Sequence, residues 1–194
     1  MGLRKRTSNR PTEEFVALPL VYALLSGKET ARYEEVLQAV LDAIDDFGLQ
    51  CAPTKMMMDF EVGIIKACEK VFPGIPRSCC FFHLAQILYR RVQAAGLQKA
   101  YNDPDDRTVK KYTHLLLSLA FVPPDDVLTA FRRLRRECPP ALHDLYDDFN
   151  VFYIAGRPAR GQRRRLLPRY PPCIWNQHAT AVEKGHRTNN CSEG

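Results

Sequence analysis

The region between residues 15 and 96 alternates three times between a short apolar segment and an amphipathic helical pattern. The apolar segments occupy residues 15–25, 54–58 and 77–82. Short strands that are joined by helical crossovers pair in parallel, and the helices cover the resulting sheet. This alternation predicts an α/β fold, and it constrains the chain more than its composition does.

The helical pattern is clearest after the first apolar segment. Apolar residues recur there at three- and four-residue spacing from Tyr33 to Phe47, and Gly48 is placed to end the helix. Ser26 and Glu29 have the spacing of a capping box at its start. Helical spacing also follows the second and third apolar segments, so we expect a helix after each one.

From residue 108 to residue 149 the strand pattern disappears. Apolar residues with helical spacing form three stretches there, and proline pairs at 123–124 and 139–140 separate them. We expect three helices, which form an all-helical insertion at residues 104–155. Residues 156–173 are rich in Gly, Pro and Arg, a composition that predicts an exposed loop.

Positive charge is concentrated in two segments, although the net charge of the chain is only +6. Residues 1–10 contain four basic residues and no acid, and residues 157–182 contain six arginines and no acid. The arginines are Arg157, Arg160, Arg163, Arg164, Arg165 and Arg169. Two interpretations are open for such segments: they bind a polyanion at defined places on the protein, or they are solvated loops. In the first case we expect the six arginines to contact DNA phosphates without distinguishing the base sequence.

Composition and the N-terminus narrow the class of protein. Hydrophobic residues make up 45% and charged residues 26%, which excludes collagen-like, coiled-coil and wholly disordered chains. No stretch approaches the roughly 20 apolar residues that span a bilayer, and the N-terminus lacks the apolar run of a signal peptide. We therefore expect an intracellular protein whose seven cysteines are thiols, core residues or metal ligands.

Asp59 follows the second apolar segment directly and precedes a helical pattern. This position is the carboxyl edge of the predicted parallel sheet, where open α/β folds bind their ligands. A carboxylate at this edge can hold a divalent cation, or it can cap the following helix. Position alone leaves both roles open for Asp59.

Cys80 and His83 form a Cys-x-x-His pair at the end of the third apolar segment. If the second and third strands are neighbours, this pair lies near Asp59. A structural zinc site needs about four ligands with characteristic spacing. The other candidate ligands are Cys138, His143, Cys173 and His178. Since none of them has that spacing, we expect Cys80 and His83 to be a mostly buried structural pair, with a small zinc module as the alternative.

A polar motif, Arg187-Thr-Asn-Asn-Cys-Ser-Glu193-Gly, stands at the end of the sequence. An acid that follows two asparagines can start a helix, with its neighbours capping the backbone and Glu193 facing the sheet edge. A frayed tail is the alternative. In the first case Asp59, His83 and Glu193 converge at one edge of the sheet.

Three parts of the sequence, in this order, resemble the catalytic core of Mutator-like element (MULE) DNA transposases. They are Leu18-Pro-Leu-Val-Tyr-Ala-Leu-Leu25, Met58-Asp59-Phe-Glu61 followed by Cys80-Phe-Phe-His83-Leu, and the motif at residues 187–194. The resemblance covers residues 16–96 and 175–194. It implies an RNase H-like fold in which an Asp, Asp, Glu (DDE) triad holds two divalent ions, Mg²⁺ or Mn²⁺, with a helical insertion before the Glu.

This resemblance makes Asp59 the second acid of the triad and Glu193 the third, while Cys80 and His83 match the Cys-x-x-His of the family. The first acid has no counterpart, because residues 1–14 contain no Asp and no strand pattern. We therefore expect a truncated RNase H-like fold, a mixed sheet with flanking helices that lacks its first strand. Two carboxylates alone hold at most one ion well, so we expect a transposase fragment that is inactive by itself.

The predicted organisation combines these inferences. It comprises a basic segment without regular structure at 1–14, a partial RNase H-like core at 15–103, the helical insertion at 104–155, the arginine-rich loop at 156–173, and the C-terminal end of the core with the third acid at 174–194. We expect a nuclear protein that binds DNA and has no membrane or small-molecule partner, and self-association stays open. The alternative is a transposase-derived protein that binds DNA or another partner without catalysis.

Overall fold

The computed structural model describes residues 19–159, 161 and 164–183, and this part is mostly helical with one small sheet. The strands are β1 (Met56–Met58) and β2 (Arg77–Cys79). The α-helices are α1 (Thr30–Asp46), α2 (Val62–Val71), α3 (Phe81–Ala94), α4 (Gln98–Tyr101), α5 (Thr108–Ser118), α6 (Val127–Glu137), α7 (His143–Phe149), α8 (Pro172–Trp175) and α9 (His178–Val182). No helix in these ranges combines the length and the apolar character that a membrane span requires.

The two strands pair in parallel, with Met56 opposite Arg77 and Met58 opposite Cys79. α2 supplies the crossover that a parallel pair requires. Met58, Cys68 and Cys79 are buried in a small core between the sheet and α2. The predicted α/β class with parallel pairing is confirmed. The described residues form this two-stranded sheet only, so the larger mixed sheet is not seen in this part of the chain.

α1 packs along α2 and confirms the helix predicted after the first apolar segment. It begins at Thr30, and its N-cap residue Glu29 makes no side-chain hydrogen bond to the helix. The predicted capping box between Ser26 and Glu29 is therefore wrong. Gly48 follows the helix with a φ of +65°, the left-handed conformation that suits a glycine after a helix end.

Residues 19–25 do not form the predicted first strand and have no regular secondary structure. Leu20, Tyr22 and Leu24 are almost fully exposed. Pro19 has no N–H to donate to a ladder, and no neighbouring strand accompanies this segment within the described ranges. Apolar composition predicts a strand here, but a strand also needs a partner. Residues 15–18 lie outside the described residues.

The three helices predicted between residues 108 and 149 are present as α5, α6 and α7. Short 3₁₀ turns at Pro124–Asp126 and Pro140–Leu142 lead into α6 and α7, and a π-helical turn at Asn150–Ile154 extends α7. The buried faces of these helices share one hydrophobic core with α3. Burial of this apolar surface holds the helices against the end of the small sheet.

The C-terminal described residues fold back onto this core and onto β2. Trp175 is almost fully buried, and its indole N–H donates to the carbonyl oxygens of Tyr153 and Tyr170, both at 3.0 Å. Gln177 is fully buried, and its side-chain amide donates to the carbonyl oxygen of Cys79 at 3.0 Å. The bonds of Trp175 tie α8 to the residues around Tyr153 and Tyr170, and the bond of Gln177 ties the start of α9 to β2, which runs beside β1 and ends near Asp59.

Candidate catalytic edge of the sheet

Asp59 comes directly after β1, at the edge where both parallel strands end. Its side chain is 50% exposed. α2 begins three residues later at Val62, and its N-cap residue is Glu61. Asp59 is therefore not the N-cap residue of α2, and its carboxylate is half exposed at the edge of the sheet.

His83 reaches the same edge from the second strand. β2 ends at Cys79, α3 begins at Phe81, and His83 lies in the first turn of that helix. Nδ1 of His83 is 3.1 Å from Oδ1 of Asp59, and the His83 side chain is 20% exposed. The structure thus brings together two of the three side chains that were expected to converge.

Cys80 and Cys79 support this edge from inside the protein. Cys80 is fully buried and follows the strand rather than lying within it, and its N–H donates to the carbonyl oxygen of Met58 at 2.9 Å. The thiol of Cys79 donates to the carbonyl oxygen of Asp59 at 3.8 Å. Burial raises the pKa of the Cys79 thiol to about 12, and the charge of Asp59 acts in the same direction. A thiol that stays protonated is a poor nucleophile and metal ligand, so Cys79 has a structural role.

Glu61 connects the start of α2 to the region around α1. The hydroxyl of Tyr33 donates a hydrogen bond to Oε1 of Glu61, and Nζ of Lys28 donates to Oε2 at 2.9 Å. The bond from Tyr33 lowers the pKa of Glu61, and the same bond raises the pKa of Tyr33 to about 12. Glu61 is therefore ionised at neutral pH and already holds two partners.

Gly63 allows the chain before α1 to approach the first turn of α2. A Cβ atom at this position would lie 2.4 Å from the carbonyl oxygen of Lys28 and 3.0 Å from the ring of Tyr33. Backbone cannot move aside as a flexible side chain can, so the contact requires a glycine. Together with Glu61, Gly63 fixes the segment that carries Asp59 against α1.

The described part of the arginine-rich loop lies beside the same edge. Arg157 and Leu166 form an antiparallel bridge. The backbone nitrogen of Arg157 lies 2.9 Å from the carbonyl oxygen of Leu166, and the backbone nitrogen of Leu166 lies 3.0 Å from the carbonyl oxygen of Arg157. The hydroxyl of Tyr170 donates to the carbonyl oxygen of Phe60 at 2.9 Å. Because Phe60 follows Asp59 in the chain, this bond anchors the loop next to the candidate edge. The exposed arginines of the loop are Arg157, Arg164, Arg165 and Arg169.

Several predicted site residues lie outside the described residues. They are Glu193, Arg160 and Arg163. The motif at residues 187–194 and the basic segment at residues 1–14 also lie there. The convergence of Glu193 with Asp59 and His83 therefore stays a prediction.

The donor set of the edge fits part of a divalent metal site. Asp59 supplies a carboxylate oxygen, the kind of donor that Mg²⁺ and Mn²⁺ prefer. Among the described residues, no three His, Cys, Asp or Glu side chains form a group that could hold a metal ion. Cys80 and His83 thus have no third ligand such as Cys138 or His178 in this part, and the zinc alternative gains no support. Asp59 therefore fits the role of one ligand, and the described residues do not complete a metal site.

Three supporting residues were not predicted from the sequence. Tyr33 belongs to the apolar stripe of α1, and Gln177 lies in a segment without periodicity, so neither gives a signal of its own. Glu61 does give one, because it is an acid two positions after Asp59 within the same motif. That spacing could have marked Glu61 as part of the edge, although not its partner Tyr33.

Comparison with protein families gives a match to the MULE transposase domain at residues 12–87. The matched region includes α1, both strands, α2 and the first half of α3, and with them Asp59, Cys80 and His83. Comparisons with curated proteins and with solved structures gave no match. The match confirms the resemblance to MULE transposases, and it supports a transposase-related protein whose residues 12–87 are similar to a MULE transposase domain.

Proposed function

We propose that this chain belongs to the catalytic core of a DDE transposase with an RNase H-like fold, and that it acts on DNA in the nucleus. In this proposal Asp59 is the second acid and Glu193 is the third. The chain binds DNA and one divalent ion, Mg²⁺ or Mn²⁺, but does not cut DNA by itself. Cys80 and His83 support the edge that carries Asp59.

The observation that carries the proposal is the position of Asp59. Its carboxylate is half exposed at the carboxyl end of a parallel strand, and the imidazole of His83 lies 3.1 Å away. Ligands of open α/β sheets bind at this edge. The matched family suggests a metal-dependent nuclease, and Asp59 is a half-exposed acid within the matched region that stands at this edge.

A bound divalent ion would supply Lewis-acid activation of a phosphodiester oxygen and of the attacking water or hydroxyl. The residues of this chain would hold the ion through Asp59 and Glu193. Two-metal chemistry needs more carboxylates than these two, and residues 1–14 contain no Asp. For this reason we propose that the isolated chain has no nuclease activity.

Binding of Mn²⁺ to the full chain tests the role of Asp59, with electron paramagnetic resonance measuring the free ion. Asp59→Asn should weaken binding at least tenfold, because it removes a charged oxygen ligand. Asp45→Asn is the matched control, since Asp45 is an exposed carboxylate at the end of α1. Equal affinity of the two variants and the unchanged chain would contradict the proposed role of Asp59.

A plasmid-nicking assay with Mg²⁺ or Mn²⁺ tests the lack of activity. We expect the supercoiled form to persist with the full chain. If the full chain nicks the plasmid and Asp59→Asn does not, the proposed lack of activity is contradicted. The same result would support Asp59 as a catalytic acid.

The second candidate function is DNA binding without any metal-dependent role. The observation that favours it is the run of exposed arginines beside the sheet edge, with no acid between residues 157 and 182. The two candidates differ in one measurement. If the chain binds DNA and Asp59→Asn does not change its affinity for Mn²⁺, the second candidate function is supported.

A further inference from the structure

A groove of about 750 Å³ lies between α2 and the arginine-rich loop. Among the described residues that line it, three are cationic, namely Lys66, Arg157 and Arg169, and none is acidic. Its volume is within the range of about 300–1,000 Å³ that is usual for ligand sites. The groove is therefore large enough for a ligand, and its charge favours an anionic one.

The groove also presents apolar surface to solvent. Phe152, Leu166 and Leu167 line it, and Leu167 is 81% exposed. The guanidinium of Arg169 lies 5.8 Å from the centre of the Phe152 ring. Phosphates alone do not use exposed apolar surface such as that of Leu166 and Leu167. A ligand that fits the whole groove carries negative charge together with flat apolar faces.

The walls of the groove are built before any ligand binds. At Gly156 a Cβ atom would lie 2.0 Å from the carbonyl oxygen of Leu166, so a glycine is required for the two sides of the loop to approach. The N–H of Tyr170 donates to the carbonyl oxygen of Phe152 at 2.9 Å. The ring of Tyr170 packs on Tyr153 at 5.4 Å between ring centres. A preformed site loses less conformational entropy on binding than a loop that has to be ordered.

We propose that this groove binds single-stranded DNA, with the three cations on phosphates and the apolar side chains against base faces. Duplex DNA keeps its base faces inside the stack, whereas a single strand exposes them to aromatic and apolar side chains. The inference rests on the proposed function, because it takes DNA as the ligand. Since Tyr170 is bonded to Phe60, the residue after Asp59, a strand in the groove lies beside the candidate edge.

Fluorescence anisotropy with the full chain in EDTA tests the cationic part of the groove. The probes are a labelled ten-nucleotide oligo-dT and a labelled ten-base-pair hairpin of mixed sequence. The double variant Arg157→Ala/Arg169→Ala should bind oligo-dT at least tenfold more weakly. The log–log salt slope should fall in magnitude by about 1.4, because each of the two arginines contributes about 0.7 through its phosphate on a single strand.

The matched control is Arg132→Ala/Arg136→Ala, which removes the same charge from two exposed arginines of α6. We expect this control to stay within twofold of the unchanged chain on oligo-dT. Equal weakening in the control, or an equal loss of affinity for the hairpin in the groove variant, would contradict the inference. Either result indicates a diffuse cationic surface rather than a single-strand groove.

Leu167→Ala tests the apolar part of the groove. Because the side chain of Leu167 is exposed, this substitution should not disturb folding. We expect about threefold weaker binding of oligo-dT with an unchanged salt slope, because all the cations that bind phosphates are still present. Leu24→Ala is the control for an exposed leucine outside the groove, and it should have no effect. An unchanged affinity in Leu167→Ala would contradict base contact in the groove.

The failure of this inference is distinguishable from failure of the proposed function. If the unchanged chain binds neither oligo-dT nor the hairpin, both are contradicted. If it binds both probes and the groove variants do not differ from their controls, only the groove is contradicted. Tenfold tighter binding of a ten-nucleotide oligo-rU than of oligo-dT would overturn the assignment to DNA.

Discussion

The hydrogen bond between Tyr33 and Glu61 couples α1 to the segment that carries Asp59. Tyr33→Phe removes this bond and keeps the ring, so we expect a loss of about 1 kcal/mol in the free energy of unfolding at pH 7. The pKa of Glu61 should rise toward its ordinary value, because the bond from Tyr33 is the largest cause that lowers it. Urea unfolding and NMR titration of the Glu61 carboxyl carbon measure the two effects. A Glu61 pKa that does not move would contradict the assigned cause.

The same pair predicts how stability depends on pH. The pKa of Glu61 is lower in the folded chain than its ordinary 4.5, so its contribution is present above pH 4.5 and is lost as the pH falls through the folded value. The pKa of Tyr33 is raised from 10.0 to about 12, so its contribution is present below pH 10 and is lost as the pH rises through about 12. The stability difference between the unchanged chain and Tyr33→Phe should therefore shrink at both extremes of pH. A difference that is constant from pH 3 to pH 12 would argue against the pair.

Gly63 gives a prediction about packing at the same place. Gly63→Ala puts a Cβ atom 2.4 Å from backbone, so the chain around Lys28 has to move. We expect a loss of about 1–3 kcal/mol, the usual range for an overpacked site, measured by urea unfolding. Lys66→Ala on the exposed face of α2 is the control and should change stability by less than about 0.5 kcal/mol. A Gly63→Ala variant as stable as the control would contradict the close approach.

At the residue scale, the sequence was informative where position along a strand determines position in space. Asp59 and His83 follow consecutive parallel strands, so their proximity could be predicted from the order of the segments. The contact of Tyr33 with Glu61 depends on how α1 packs across α2. A helical pattern tells which side of α1 is apolar but not which residue of another helix it meets, so this contact could not be predicted.

At the scale of elements, Gln177 joins α8 and α9 to β2. Its side-chain amide donates to the carbonyl oxygen of Cys79 at 3.0 Å and to the hydroxyl of Ser78 at 3.2 Å. Gln177→Met keeps the volume but leaves a buried acceptor without its donor, so we expect a loss of about 1–3 kcal/mol in thermal or urea unfolding. Gln93→Met, at an exposed position of α3, is the control and should be nearly neutral. An equal effect in both variants would contradict the role of Gln177.

The helices were more predictable than the strands. α1 and the helices of residues 108–149 carry periodic apolar faces, and such a face is a local signal that packing reinforces. A strand depends on a partner elsewhere in the chain, and residues 19–25 have none within the described ranges, so their apolar character was misleading. The fold of the core beyond β1 and β2 likewise depends on pairings that a single sequence does not reveal.

At the scale of the whole molecule, the arginine-rich loop predicts how the chain binds duplex DNA. Replacing Arg163, Arg164 and Arg165 together with Ala should weaken binding about equally for unrelated duplexes, because phosphate contacts do not depend on base sequence. The log–log salt slope should fall in magnitude by roughly two to three, since each arginine on a phosphate contributes about 0.9. Anisotropy titrations at several salt concentrations measure both. An unchanged binding curve at low salt would indicate that these arginines are solvated and do not contact DNA.

The claim that Asp59 holds a divalent ion can be tested by locating the ion itself. Bound Mn²⁺ broadens NMR signals of nearby nuclei, and His83 is a suitable probe because its Nδ1 is 3.1 Å from Asp59. The protein is labelled at its histidines and titrated with substoichiometric Mn²⁺. We predict that the ring signals of His83 broaden at a lower Mn²⁺ concentration than those of His114 and His143. We also predict that Asp59→Asn abolishes this selectivity. Equal broadening of these histidines, or selective broadening of His83 that survives in Asp59→Asn, would contradict the claim.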